Sequence, residues 1–304
     1  MRRGRHTGAA EETIERGIVS PLERHRPRVR WTLRSIHTVI LLGLIVIGLG
    51  PLLWLVKAAV STTQDTLRHP VGLWPSGIKW DNLSEAWNKA EISLYFMNTV
   101  WIALGSLVVQ VFVAVTGAFV LSILRPRYAR VVTGAVIATL FVPPVVLLLP
   151  LFLTVLDVPL FHVSLLNHYW GVWLPAGANA FNVILMKRFF DNLPSEVLEA
   201  ARLDGAGPFR LLWSVVLPMS KPILGVVAVF SILAAWRDFL WPLLVLPEPT
   251  IQPLSVRLPN IRDTVELDVM LASLLISTAI PVGLFLVFQR FFLRGAGLRG
   301  AVKG

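Results

Sequence analysis

The sequence predicts an all-α integral membrane protein with six transmembrane helices, and three observations carry that prediction. Hydrophobic residues make up 55 % of the 304 positions and charged residues only 15 %, an apolar share above that of ordinary soluble domains. Six stretches are each long and apolar enough to cross a bilayer. The basic residues, which bring the formal net charge to +10, gather in segments that one membrane orientation places on a single side. Cysteine is absent, which excludes disulfides, thiolate metal sites and cysteine nucleophiles.

Nine arginines lie in the first 34 residues, among acids and prolines and without an apolar period, so residues 1–32 read as a flexible basic tail. Arg2-Arg3 stand too far from the first apolar run for a twin-arginine signal. Span one covers 33–60, with a kink expected at Pro51 and Lys57 expected to snorkel to the interface. Residues 61–92 form a polar loop whose Trp74, Trp80 and Trp87 suit a membrane surface. Span two covers 94–124 and is closed by Arg125, Arg127 and Arg130. Span three, 131–155, contains Pro143, Pro144 and Pro150 and is predicted to bend. His162 and His168, in the loop after it, lack the neighbours that a metal site requires.

Span four covers 169–190 and ends beside Lys187-Arg188, span five covers 222–246, and span six covers 267–292. A polar loop, 247–266, separates the last two. Residues 33–292 thus read as one transmembrane domain and 293–304 as a C-terminal tail. With both termini on one side, 21 Lys and Arg fall on that side against five in the loops opposite, which orients both termini to the cytoplasm.

Between spans four and five lies a polar island, 193–222. Ser195 suits the N-cap of a short helix with Val197, Leu198 and Ala201 on one side, and Asp204-Gly205 suits its end. Pro208 opens a second helix, in which Phe209, Leu212, Trp213 and Val216 recur at i, i+3, i+4 and i+7 and which is expected to stop at Pro218. Two amphipathic helices therefore meet at a glycine bend. The acidic residues Glu196, Glu199 and Asp204 argue against a pair merely lying on lipid, where cations prevail.

Glu199-Ala200-Ala201, followed by Asp204-Gly205-Ala206 and by Pro218, resembles the cytoplasmic coupling loop of ATP-binding-cassette importer permeases. Tyr95-Phe96-Met97-Asn98-Thr99 at the start of span two and the run from Arg294 to Gly304 are similar to the carbohydrate-uptake, maltose-permease-G-like branch of that family. The resemblance implies a permease subunit for a sugar or oligosaccharide handed over by an extracytoplasmic binding protein. It further implies a second, related permease chain and two ATPase subunits, with ATP and Mg on the ATPases and no cofactor on this chain. Glu199, Ala200, Ala201, Asp204, Gly205 and Ala206 would then meet the ATPase. No phosphate-binding Gly-x-x-x-x-Gly-Lys-Ser/Thr loop occurs, so if the chain serves active transport the hydrolysing subunit is another one. Metalloprotease and nucleophile-elbow patterns are also missing, and the chain is read as a transport subunit without catalysis of its own.

Span five carries Trp236-Arg237-Asp238-Phe239-Leu240-Trp241-Pro242. Each of the two charges would cost about 3 kcal/mol at a lipid-facing helix centre, so both are expected to face protein or a water-filled cavity. Consecutive helical residues point about 100° apart, so the two do not simply neutralise each other. The run resembles the Trp-Asn-acid-Phe segment of sugar permeases, with Arg237 where Asn is usual. Trp236 is a candidate for stacking on a sugar face, and Arg237 and Asp238 for binding hydroxyls or an anionic group. Asn179 and Asn182 of span four are candidates for the same path, or else interhelical hydrogen bonds. Two alternatives stand beside this reading: a secondary transporter driven by an ion gradient, with Asp238 as its proton site, and an ATP-driven importer of a non-sugar solute. A nucleic-acid binder is disfavoured, because the second helix of the island carries only Arg210 as a cation.

Overall fold

Some of the prolines of this chain stand where its helices break, and others lie inside continuous helices. The computed structural model describes residues 27–297; the predicted basic tail up to residue 26 and the last seven residues of the predicted C-terminal tail lie outside the described residues. The chain divides at Trp54 into two units. Helix α1, Pro27–Ala59, starts before the predicted boundary and runs through Pro51 without interruption.

The second unit opens with the last turn of α1. Lys57, expected to snorkel, is instead buried and paired with Asp65 Oδ2 at 3.1 Å. Asp65 lies in α2, Thr63–Arg68, and also accepts from the Ser76 hydroxyl. That hydroxyl, against the desolvation of burial and with help from the Lys57 ammonium, holds the Asp65 carboxyl down to about 2. Helix α3, Asp81–Asn88, is pinned to the end of α1 by Asn82 Nδ2, which donates to Ala59 O at 3.1 Å and Ser61 O at 2.8 Å.

Helix α4, Ile92–Phe119, continues through a π turn, Val120–Leu124, and is the axis of this unit. Helix α5, Ala129–Thr139, and helix α6, Leu148–Leu156, with the 3-10 turn Pro144–Leu147 before it, meet at 103°. This is a break rather than the bend expected of span three. Pro144 confines Pro143 to extended backbone (φ −59°, ψ 129°), so a helix cannot pass.

Helix α7, Trp170–Ala176, and helix α8, Ala180–Asp191, together replace the continuous span four. Next come α9, Ser195–Leu203, α10, Pro208–Leu211, a π turn, Leu212–Val216, and α11, Leu217–Met219. Pro218 therefore does not stop the second loop helix; the chain turns at Ser220, 82° into helix α12, Lys221–Arg237. Span five also breaks, because α12 ends at Arg237 and α13 covers only Leu240–Val245. The predicted polar loop 247–266 contains α14, Leu254–Ile261, with Leu254, Val256, Leu258 and Ile261 all buried. Helix α15, Leu267–Gly297, closes the described chain. Among the described residues, three helices are individually long and apolar enough to cross a membrane, and two more candidates arise if each bent pair is one span.

Carbonyls near three of the prolines are satisfied by side chains from other elements. A helical proline lacks the N–H that would bond the carbonyl four residues back. Pro175 frees Gly171 O, which accepts from Trp241 Nε1 at 3.1 Å. Asp238 O, which lies outside α13 and receives no helical N–H, accepts from Ser255 Oγ at 2.6 Å. Pro281 frees Ser277 O, which accepts from Trp236 Nε1 at 3.2 Å. Neighbouring side chains thus satisfy backbone groups that prolines and helix breaks leave without an N–H, as an apolar surrounding demands.

Helix α4 packs against α12, α8 and α7. Gly105 permits the α7 contact, since a Cβ there would lie 2.1 Å from the Trp173 indole. Asn98 and Thr99 of α4 hold the segment before α14: Asn98 Nδ2 donates to Thr250 O and Gln252 O, and Thr99 Oγ1 accepts from Leu254 N.

Candidate functional site

Two regions of the second unit are built for interaction, the island between α8 and α12 and a cavity beside α4. In the island, α9 begins at Ser195 with Pro194 as its N-cap, so Ser195 is the first helical residue rather than the cap. The C-terminus follows a Schellman pattern: Gly205 N donates to Arg202 O at 3.0 Å and Ala206 N to Ala201 O at 2.9 Å. Gly205 adopts φ +79°, a left-handed conformation that costs a side-chain-bearing residue energy.

The two faces of the island differ. Leu198 is buried and Ala201 packs on the same core, together with Leu211, Leu212 and Val216 of the second helix. Glu199, Ala200, Asp204 and Gly205 are exposed, and Ala206 is half-buried. The apolar stripe expected of the second helix splits, because Leu212 and Val216 point into the core while Phe209 and Trp213 point out. The outward pair, with ring centroids 6.0 Å apart, and Leu203, 88 % exposed, give the tip around Gly205 an apolar surface that none of the other described residues covers.

The island is tied to α4 at its base. Arg202 Nη2 donates to Ile123 O at 3.3 Å in the π turn. Asp191, the last residue of α8, accepts from Ser122 Oγ and from Lys187 Nζ at 2.7 Å each, and Arg125 Nη2 stands 3.7 Å away. Burial alone would raise the Asp191 carboxyl, but the Lys187 and Ser122 hydrogen bonds and the two cations outweigh it and hold the group below its ordinary value. A small cavity of about 250 Å³ separates this cluster from Glu199 and Leu198.

The larger cavity, about 770 Å³, lies between α4, α7, the α7–α8 break and the α12–α13 break. Its polar lining comprises Ser106, Gln110, Asn179, Arg237 and Asp238, and its apolar lining includes Ile102, Val172 and Trp241. Arg237 and Asp238 are placed there by the break between α12 and α13. The arginine ends α12, and Asp238 turns extended (φ −70°, ψ 118°) so that its Oδ1 accepts from Trp241 N at 3.4 Å. Asn179 caps α8 through Asn182 N at 3.0 Å.

Trp236 is not part of this lining. It is buried on another side of α12, edge-on to Phe96 at 5.7 Å, with its indole N–H committed to Ser277 O. The stacking role expected for it is replaced by a structural one, because the preceding residue of a helix faces about 100° away from Arg237. Asn182 is buried as well: its Nδ2 donates to Gln110 Oε1 at 2.8 Å and Ser231 Oγ at 3.3 Å, joining α8, α4 and α12 behind the cavity wall.

Comparison with known proteins decides the class. Residues 111–296 match the family described as binding-protein-dependent transport system inner membrane component. The chain belongs to this family. It is the permease subunit of an ATP-binding-cassette importer and resides in the inner membrane. The chain is 32 % identical over 286 residues to the probable ABC transporter permease protein YurM of Bacillus subtilis, covering 92 % of this chain and 93 % of that one. It is 28 % identical over 272 residues to the sn-glycerol-3-phosphate transport system permease protein UgpE of Yersinia enterocolitica, covering 85 % and 94 % respectively. Among solved structures, a chain of a bacterial ABC transporter involved in the import of the acidic polysaccharide alginate superposes with a TM-score of 0.74 at 26 % identity, over 86 % of this chain and 97 % of that chain.

Sequence reasoning passed over Ser106 and Gln110 of this permease. Both lie on α4 at i, i+4 spacing, on one face of a mostly apolar helix, and that spacing is the signal that could have found them. Asp191, Ser122 and Arg202 were equally silent, since their value depends on the fold bringing the end of α4 beneath α9.

Proposed function

We propose that this permease subunit spans the membrane six times with both termini in the cytoplasm, and that the broken segments α5–α6, α7–α8 and α12–α13 serve as its third, fourth and fifth spans. The charge asymmetry of the sequence supports this orientation. In it the island around α9 faces the compartment that holds ATP. Glu199, Ala200, Asp204 and Gly205, with the outward Leu203, Phe209 and Trp213, form the surface that docks on a separate ATPase subunit binding ATP and Mg. Ala201 and Ala206 sit behind that surface and set its shape.

The observation that carries this reading is the two-sided island: one face packed into the core and hydrogen-bonded to the π turn of α4, the other face exposed among the described residues and carrying Leu203, Phe209 and Trp213 beside Glu199 and Asp204 at a glycine bend. Motion imposed on the exposed face reaches α4 through Arg202 and the Asp191 cluster, and α4 walls the large cavity. Closure of two ATPases would draw paired coupling loops together and switch the pore from inward-facing to outward-facing. Solute released by an extracytoplasmic binding protein would then enter the cavity between this chain and a second, related permease.

The relatives named for sn-glycerol 3-phosphate and alginate favour a sugar or sugar-derived cargo here. Asn179, Arg237 and Asp238, with Ser106 and Gln110, supply the hydrogen-bonding groups that hydroxylated solutes need. Purification from native membranes in mild detergent tests the assembly. Recovery of an ATPase, a second permease and a binding protein supports it, whereas an intact preparation that transports without any ATPase contradicts it.

A further inference from the structure

The large cavity is electrostatically uneven. Arg237 is exposed to it and forms no salt bridge among the described residues. Asp238, its neighbour in sequence, does not neutralise it, because the carboxylate is turned onto Trp241 N. The C-terminal dipole of α12 favours a cation at Arg237, but a dipole leaves the five guanidinium donors unfilled.

Two further features of the lining point the same way. Ser106 is 1 % exposed, and its buried Oγ has no hydrogen-bond partner among the described residues. A serine in a helix ordinarily returns its hydroxyl to a carbonyl one turn back, as Thr99 and Thr116 of the same helix do. The twelve-residue helix α8 also presents its N-terminus at Asn179, where its dipole favours negative charge. A guanidinium, a free hydroxyl and a helix N-terminus converge on one space.

We propose that the solute of this importer carries an acidic group, a carboxylate or a phosphate on a sugar scaffold, and that Arg237 binds it with Ser106 and the start of α8. Asp238 and Gln110 then take hydroxyls of the same solute, Asp238 as acceptor. The proposal rests on the importer reading above and narrows its substrate class. Arginine suits the task because its planar fork matches both carboxylate and phosphate in a bidentate manner.

The test uses the complete complex, with binding protein, both permeases and ATPases, reconstituted in proteoliposomes. ATP-dependent uptake is measured for a matched series: glucose, glucuronate and glucose 6-phosphate, then maltose, digalacturonate and glycerol 3-phosphate. Preferred uptake of acidic members supports the proposal, and the preference between carboxylates and phosphates identifies the group. Arg237→Gln is expected to lower uptake of the acidic solute roughly 30-fold or more, with partial recovery in Arg237→Lys. Uptake of neutral sugars only, equal in wild type and Arg237→Gln, overturns the proposal and leaves the importer reading intact. Absence of ATP-dependent uptake for every member overturns both. Loss of the second permease from purified Arg237→Gln complex, with normal recovery of the Ser106→Ala complex and unchanged uptake by it, would assign Arg237 to a subunit contact and also overturn the proposal.

Discussion

Replacing Trp236 by Phe separates a structural tryptophan from a solute-stacking one. The indole N–H is the donor that Ser277 O receives in place of the N–H missing at Pro281. Phe keeps the edge-on contact with Phe96 but leaves that carbonyl unpaired in apolar surroundings. A buried unsatisfied group costs about 1–3 kcal/mol, and interhelical hydrogen bonds measured in membranes lie nearer 0.6, so roughly 1 kcal/mol is expected from the carbonyl. The smaller ring adds about 1 kcal/mol for lost packing. Pro281→Ala restores a backbone N–H to Ser277 O, so in that background the first contribution vanishes and the second stays. A double-mutant cycle on thermal unfolding of the purified complex is therefore expected to give a coupling near 1 kcal/mol between residues that act through one carbonyl. No coupling, together with a raised apparent KM for the solute in Trp236→Phe, would refute the structural role and return Trp236 to the substrate path.

Other perturbations follow the same logic. At Gly205 a side chain meets open space, so Ala is limited by the left-handed backbone alone, at about 1–2 kcal/mol; Asn should cost less, and Pro should abolish uptake by removing the N–H to Arg202 O, as measured by solute moved per ATP hydrolysed. Gly171→Ala would place its Cβ 2.5 Å from Leu165 O, backbone that cannot swing aside, and is expected to lower the unfolding temperature, whereas Gly207→Ala meets open space and should not. Asp65 has a folded-state value of about 2 against 3.8 ordinarily, so its stabilisation is present above about pH 4 and lost as pH falls toward 2; Ser76→Ala should move that loss to higher pH in unfolding scans. Asp191→Asn keeps an acceptor for Ser122 but releases Lys187 and Arg125, costing about 1 kcal/mol at this half-exposed site, and is expected to reduce solute-stimulated ATPase activity more than ATPase binding.

What could be read in the sequence was what local chemistry decides. The coupling island declared itself because Asp204-Gly205 and Pro208 are local punctuation whose backbone consequences do not depend on the rest of the fold. Helices α1, α4 and α15 were legible as continuous apolar runs. The breaks at Asn179 and Asp238 were not, because Pro175 and Pro242 can either kink a helix or end it. Which occurs depends on whether Trp241 or Ser255 is at hand to take the carbonyl left without a helical N–H. For the same reason Trp236 read as a ligand: its donor is spent on a residue 41 positions away. The buried α14 was hidden by its polar flanks and by Pro259, which local rules count against a helix. At the cavity Arg237 and Asp238 were visible as charges in an apolar run, whereas Ser106 and Gln110 acquire meaning only once α4 stands beside them.

The central claim is that the exposed tip of the coupling island touches an ATPase. Because the chain has no cysteine, a single introduced thiol reports one position without background. Leu203→Cys, at a site 88 % exposed, and Leu160→Cys, at one 91 % exposed and on the opposite side of the membrane in the proposed topology, would each be labelled with a benzophenone maleimide in the assembled complex and irradiated. The account predicts a covalent adduct between the ATPase and the chain labelled at position 203, and none from position 160. An assembled, ATP-dependent complex with no ATPase adduct at 203, or with equal adducts at both positions, would contradict it.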